Sequence, residues 1–241
     1  MWEDLETHLK DWARDSRDSI QLALGLKTRA SLEGEVAPYR AFPAAGAGVG
    51  LIGGIVLLVA VQIGFPLAIA AATGILVIVA AGAAQNEDVL MRVARGAAAA
   101  EKSPDVVNAF GVTLLLMALL VRTSALVAIG DAATIVGALV AAGALSYFVW
   151  VLVSYFAGPA DDDSPTERGL LESLLLAAII IFICVPPLAA TIILLAGFLI
   201  GGLGAFLSNR VENGEKSTAG AICQQSADIL TLSILAGFFA V

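Results

Sequence analysis

Charged side chains are scarce in this sequence. Only 14% of its 241 residues are Asp, Glu, Lys or Arg, whereas a soluble domain carries about 25%. So few polar groups cannot cover a water-soluble globule. Histidine occurs once and cysteine twice, which excludes a disulfide framework or a Cys/His zinc site at recognisable spacing. Cys184 lies inside an apolar run and Cys223 at the edge of one, and both read as small apolar fillers. His8 falls among charged residues and reads as solvated. Positive charge is also short. The net charge of −8 excludes a nucleic-acid binder that works by neutralising phosphates. The first 40 residues lack an apolar h-region, so no signal peptide is expected.

What the sequence does have is apolar length. Hydrophobic residues make up 59% of the chain, and the mean hydropathy is +0.91. Apolar runs of about 20 residues recur, each long enough to cross a bilayer as a helix. The fold class is all-α, a polytopic helical bundle in the lipid bilayer. About seven spans are expected, near 44–64, 65–84, 108–130, 132–157, 169–185, 188–207 and 222–241. They make one membrane domain over 27–241. Gly46, Gly48, Gly50, Gly53 and Gly54 crowd the first span. No strand precedes them, so they read as a close helix–helix contact and not as a phosphate loop. Pro186 and Pro187 end the fifth span.

Residues 1–26 form an amphipathic helix. Trp2, Leu5, Leu9 and Trp12 share one face, and Glu3, Asp4, Glu6, Lys10, Asp11, Arg14 and Asp15 lie opposite. Two tryptophans on the apolar face suit a helix lying in the membrane interface. A helix packed on the protein's own cytoplasmic surface fits the same pattern. With seven spans, nearly all Lys and Arg fall on the side of the N-terminus and of loops 85–107, 158–168 and 208–221, and the opposite loops hold only Asp131. The positive-inside rule makes the basic side cytoplasmic, in the inner or cell membrane. The acids Asp161, Asp162 and Asp163 are consecutive and read as a solvated loop, not a metal cage. Arg122 lies within the third span. A charge there is a functional-site candidate by default, and a structural pair with a buried acid or helix carbonyls is the alternative.

The one long charged interval between apolar runs is Gly82 to Gly111, with Glu87, Asp88, Arg92, Arg95, Glu101, Lys102 and Asp105. Its core reads Asn86-Glu87-Asp88-Val89-Leu90-Met91-Arg92-Val93-Ala94-Arg95-Gly96. Further on come Pro104-Asp105-Val106-Val107-Asn108-Ala109-Phe110-Gly111 and Arg122. Lys27-Thr28-Arg29 and Phe42-Pro43 precede the glycine-rich span, and Glu215 to Ala221 precede the last one. In these features the chain resembles the cobalamin synthases, the adenosylcobinamide-GDP ribazoletransferases, from about Ile20 to its end. The family hallmark runs roughly His-x-Asp-Gly-Leu-Ala-Asp-x-x-Asp-Gly. It aligns from Asn86 through Arg122 without gaps, with Arg122 on a family lysine.

The resemblance implies a membrane transferase in the last steps of vitamin B12 biosynthesis. It would join adenosylcobinamide-GDP and α-ribazole or its phosphate, giving adenosylcobalamin or its phosphate and GMP. It also implies Mg²⁺, since attack on a diphosphate needs charge neutralisation. Glu87 and Asp88 are the metal-ligand candidates, and Arg29, Arg92, Arg95 and Arg122 the candidates for substrate phosphate. No catalytic residue is singled out. Of three hallmark aspartates only Asp88 stands; the other two positions are Arg92 and Arg95, the leading His is Asn86, and the C-terminal Asp position is Ser217. Residues at i, i+4 and i+7 share a helical face, so two cations sit where two ligands belong. Such a face repels a dication and attracts phosphate. Three readings stay open: a working transferase in which arginines replace the metal's charge, a catalytically inactive paralogue (a pseudoenzyme) acting as a binding or assembly partner of an intact copy or as a homo-oligomer, and a small membrane transporter.

Overall fold

The computed structural model describes residues 10, 12, 14–21, 39–82, 104–157, 165–208 and 216–240. They are helical throughout, with a short 3-10 turn at Tyr39–Ala41 and seven long helices: α1 (Phe42–Gln62), α2 (Leu67–Ala81), α3 (Pro104–Ile129), α4 (Ala132–Ala157), α5 (Glu167–Cys184), α6 (Pro187–Ser208) and α7 (Lys216–Phe239). A further helical segment covers 14–21. Among the described residues, five helical stretches are long and apolar enough to cross a membrane: Tyr39–Gln62, Gly111–Ile129, Ala132–Phe156, Pro187–Ser208 and Ala219–Phe239. The other two helices differ for simple reasons. Helix α2 has 15 residues, short of the roughly 20 a bilayer needs. Helix α5 opens with Glu167, Arg168 and Glu172 in its first two turns.

Helix α4 is the centre of the bundle. Ile135, Ala138, Ala141, Ala142, Ala144, Phe148, Val149 and Val151 are fully buried. A helix apolar on every side belongs inside, and α1, α5, α6 and α7 all pack on this one. The glycines of α1 make the closest of these contacts. A Cβ on Gly46 would collide with the carbonyl of Gly143, and one on Gly143 with the carbonyl of Gly46; a Cβ on Gly50 would collide with the carbonyl of Leu139. One turn further, Gly54 faces Val136. The pairing 46 with 143, 50 with 139 and 54 with 136 makes the two helices antiparallel, backbone on backbone, along an i, i+4 ridge of glycines.

The turns follow local chemistry. Gly130, between α3 and α4, has φ of +80°, a left-handed conformation that glycine adopts without steric cost. Asp131 then caps α4: the Thr134 amide and hydroxyl both donate to its Oδ2 at 2.7 Å. Thr166 caps α5 by accepting from the Gly169 amide at 3.1 Å. Pro187 opens α6, where its missing N–H costs nothing. The last helix starts at Lys216, earlier than the apolar run alone suggests. Gly220, which has no side chain, lets α7 close on α4 against the Trp150 indole.

Gly50→Leu has nowhere to put its side chain but into the α4 backbone, and should lower stability by about 3 kcal/mol, the upper range for overpacking. Gly48→Ala meets nothing within 4 Å and should be neutral or slightly stabilising. Thermal unfolding of both variants in detergent checks the contrast. At Asp131, the Thr134 hydroxyl, and then its amide, hold the carboxyl below its ordinary value of 3.8. The charged form is therefore favoured by folding. Its contribution is present above pH 3.8 and is lost as pH falls through the lower folded value. Asparagine also caps, so the stability difference between wild type and Asp131→Asn should be largest near neutrality and shrink below pH 3.8.

Candidate functional site

The helices alternate in direction, so α1, α3, α5 and α7 begin at one end of the bundle, where α2, α4 and α6 finish. That end gathers most of the described charges, Asp131, Arg122 and Asp228 apart. Arg40, just ahead of α1, places its Nε 2.6 Å from Oδ2 of Asp15 in the N-terminal segment, and its Nη1 3.7 Å from Oε2 of Glu172 on α5. Glu172 also takes Arg168 Nε at 2.7 Å, one helical turn away. An aromatic group backs this network. Trp150 lies with its ring 5.9 Å from Tyr39 and 5.3 Å from Phe42, and Phe42 lies 6.1 Å from Tyr147. The hydroxyls of Ser173 on α5 and Ser208 at the end of α6 are buried without a hydrogen-bond partner among the described residues. Buried polar atoms of this kind call for an explanation. The chain between α2 and α3, with Glu87, Asp88, Arg92 and Arg95, joins two helix termini at this end. Those four residues, and Arg29, lie outside the described residues. Among the described residues, no three His, Cys, Asp or Glu side chains gather to hold a metal ion.

Arg122 is the one predicted site residue within the described set, and it lies elsewhere. It sits near the middle of the apolar stretch of α3, is 5% exposed, and faces α7. Its Nη2 donates to Oε1 of Gln225. Its Nε lies 2.8 Å from Oδ2 of Asp228; that approach is a charge contact, since the Nε–H is not aligned for a hydrogen bond. Asp228 is itself partly buried, its side chain 22% exposed. Of the two sequence readings of Arg122, this geometry is the pairing with a buried acid. Asp228 and Gln225 were missed. The available signal was an acid and two glutamines, Gln224-Gln225-Ser226-Ala227-Asp228, inside an apolar span, because ionisable groups at membrane depth occur where something pairs with them.

Over 243 aligned residues the chain is 29% identical to the adenosylcobinamide-GDP ribazoletransferase of Mesorhizobium japonicum. The match covers 92% of this chain and 93% of that protein. No family model matches the chain, and no solved structure matches it. The similarity therefore runs over nearly the whole length of both proteins.

Removing one partner of a buried ion pair strands the other charge, at a cost of about 3–5 kcal/mol. Asp228→Leu and Arg122→Leu should each lose stability on that scale. The double variant should recover most of the loss, because an apolar pair of similar volume leaves no stranded charge. A double-mutant cycle on unfolding in detergent measures the coupling.

Proposed function

We propose that this protein is a multi-pass membrane transferase of cobalamin biosynthesis, joining adenosylcobinamide-GDP to α-ribazole or its phosphate. The observation that carries the reading is the end-to-end similarity to a protein of that activity. The helical architecture supports it, with five helices long and apolar enough to cross a membrane and, on our reading, α2 and α5 completing seven crossings. The reaction belongs to the charged end of the bundle, which faces the cytoplasm by the distribution of Lys and Arg.

Arg29, Arg92 and Arg95 hold the phosphates of adenosylcobinamide-GDP. Arginine is suited to this, since its planar fork binds phosphate oxygens in pairs. The donor set does not favour Mg²⁺: Asp88 is followed at i+4 and i+7 by two cations, Arg92 and Arg95, a spacing that shares one face in a helix. On that face the formal charge is +1 where three aspartates would give −3, and screening leaves its sign unchanged. Arg122 serves differently, since its contacts with Gln225 and Asp228 favour an anchoring of α3 to α7 over a contact with substrate. The substitutions at Arg92 and Arg95 equally favour a second reading, an inactive paralogue that keeps the fold and binds a cobamide precursor or an intact copy.

Purified full-length protein in proteoliposomes, given both substrates, decides between the two. The first reading expects cobalamin product and GMP, with little dependence on Mg²⁺ and no saturable sub-millimolar Mg²⁺ binding by calorimetry. Arg92→Ala should then cost about a hundredfold in rate, the scale of losing one charge-stabilising donor. Absence of product at every Mg²⁺ concentration, with a relative active in the same assay, sinks the transferase reading and leaves the paralogue. Tight Mg²⁺ binding that Asp88→Ala abolishes would refute the charge argument.

A further inference from the structure

We propose that α3 is a gate helix, pivoting on Gly130 and latched to α7 by Arg122. Release of the latch opens the seam between α3 and α7 at the charged end. The joint is one residue long. Helix α3 ends at Ile129, and Asp131 already belongs to α4, since it takes the Thr134 amide and hydroxyl. Gly130 between them has φ of +80°, and a Cβ there would meet nothing within 4 Å. Glycine tolerates wide changes of φ and ψ, and hinges are a few such positions at the ends of elements.

Burial along α3 falls with distance from this joint. Ala125, Leu126 and Ile129 are buried in the apolar core. Towards the charged end Val112, Leu114, Leu116 and Met117 are between 38% and 58% exposed. Helix α2 is held differently. A Cβ on Gly53 of α1 would meet the Gly74 carbonyl, and one on Gly74 the Gly53 carbonyl, so α2 stays with α1. Between the packed joint and the loose end of α3 comes Arg122, in contact with Gln225 and Asp228 of α7. In an apolar medium such a contact is either made or lost, which gives the helix two positions. Asp228 is 22% exposed at this seam, and opening uncovers it further. This inference is independent of the transferase reading, since it concerns the motion of a helix and no substrate.

The lever sets the amplitude. At about 1.5 Å a residue, about 12 Å of helix separates Arg122 from the joint, about 27 Å separates Val112 and about 4.5 Å separates Val127. An opening of about 4 Å at Arg122, enough to break its contacts, moves Val112 by about 9 Å and Val127 by about 1.5 Å.

The test uses the full chain in nanodiscs with Cys184→Ala and Cys223→Ala. Spin labels are placed at two exposed pairs, Val112→Cys with Leu207→Cys at the charged end and Val127→Cys with Leu188→Cys at the other. Leu207 and Leu188 lie on α6, which packs on α7. Double electron–electron resonance should give one distance for each pair when Arg122 and Asp228 are present. Arg122→Leu/Asp228→Leu leaves no stranded charge and should add a population about 9 Å longer for the first pair, with a shift under about 2 Å for the second. Asp228→Asn, of the same volume, should show the longer population at a lower level, and circular dichroism checks that both variants stay helical. Arg122→Lys keeps the charge and should keep the short distance. An unchanged Val112 distance in both unlatched variants overturns the proposal. Equal lengthening of the two pairs also overturns it, because the helix would then be leaving bodily and not turning on Gly130.

Discussion

The backbone contact between α1 and α4 is the constraint on which the other packing depends. Helices surrounded by lipid gain little from the hydrophobic effect when they associate, because lipid tails are as apolar as leucine. Close approach must supply the attraction, through dispersion and through weak hydrogen bonds from backbone C–H groups to facing carbonyls, which only small residues allow. Gly46, Gly50 and Gly143 provide that approach. With α4 held against α1, its remaining faces are free for α5, α6 and α7, and the same device recurs there: Gly197 and Gly201 of α6 receive Leu145 and Leu152 of α4. Lipid meets the outside of this arrangement through large exposed apolar residues such as Ile63, Leu76, Ile183 and Leu199. In water such a surface would be a liability; in a bilayer it is the solvated face.

Helix α3 is joined to the bundle by different means. Its apolar stretch is the least buried of the five, and its neighbours are chiefly α2 and α7 rather than the central α4. Its buried face carries Ala118 and Ala125 and, between them, Arg122, which reaches Gln225 and Asp228 on α7. A charge pair in this setting is a poor source of net stability, since desolvation offsets most of the attraction. Its effect is on register: sliding α3 by one turn along α7 would leave Arg122 and Asp228 each without the other in an apolar medium. The pair thus specifies which alignment of a loosely packed helix is allowed.

The all-helical class, the glycine contact and the order of the apolar helices were legible because each depends on one-dimensional pattern: run length, i, i+4 spacing, and proline at a helix start. The pairing of Arg122 was half legible. A charge in an apolar run must find a partner, but the identity of that partner depends on which helices become neighbours across about a hundred residues of sequence. Asp228 sits in the span of weakest hydropathy, which is a hint and not an assignment. The role of Asp131 was illegible for another reason. As the only charge assigned to its side of the membrane it invited a topological reading, while its local job is to cap α4 through Thr134. The remaining predicted site residues, Arg29, Glu87, Asp88, Arg92 and Arg95, fall outside the described residues, so their arrangement rests on sequence spacing alone.

The polar residues of this chain divide by depth, and the division explains what each can do. At mid-membrane, Arg122, Gln225 and Asp228 have no water to fall back on, so they satisfy one another and leave little for a ligand. At the end where α1, α3, α5 and α7 begin, the constraint is looser. There Arg40 divides its guanidinium between Asp15 and Glu172, Arg168 leans on Glu172 from an exposed position, and two buried serine hydroxyls stay without partners among the described residues. Shared and partly exposed pairs of this kind rearrange at small cost, because water or an incoming anion can replace a partner. A phosphate-bearing substrate needs cations that exchange partners without unfolding the bundle. Physical chemistry therefore favours the charged end over the mid-membrane pair as the place where such a ligand would be handled, whatever reaction follows.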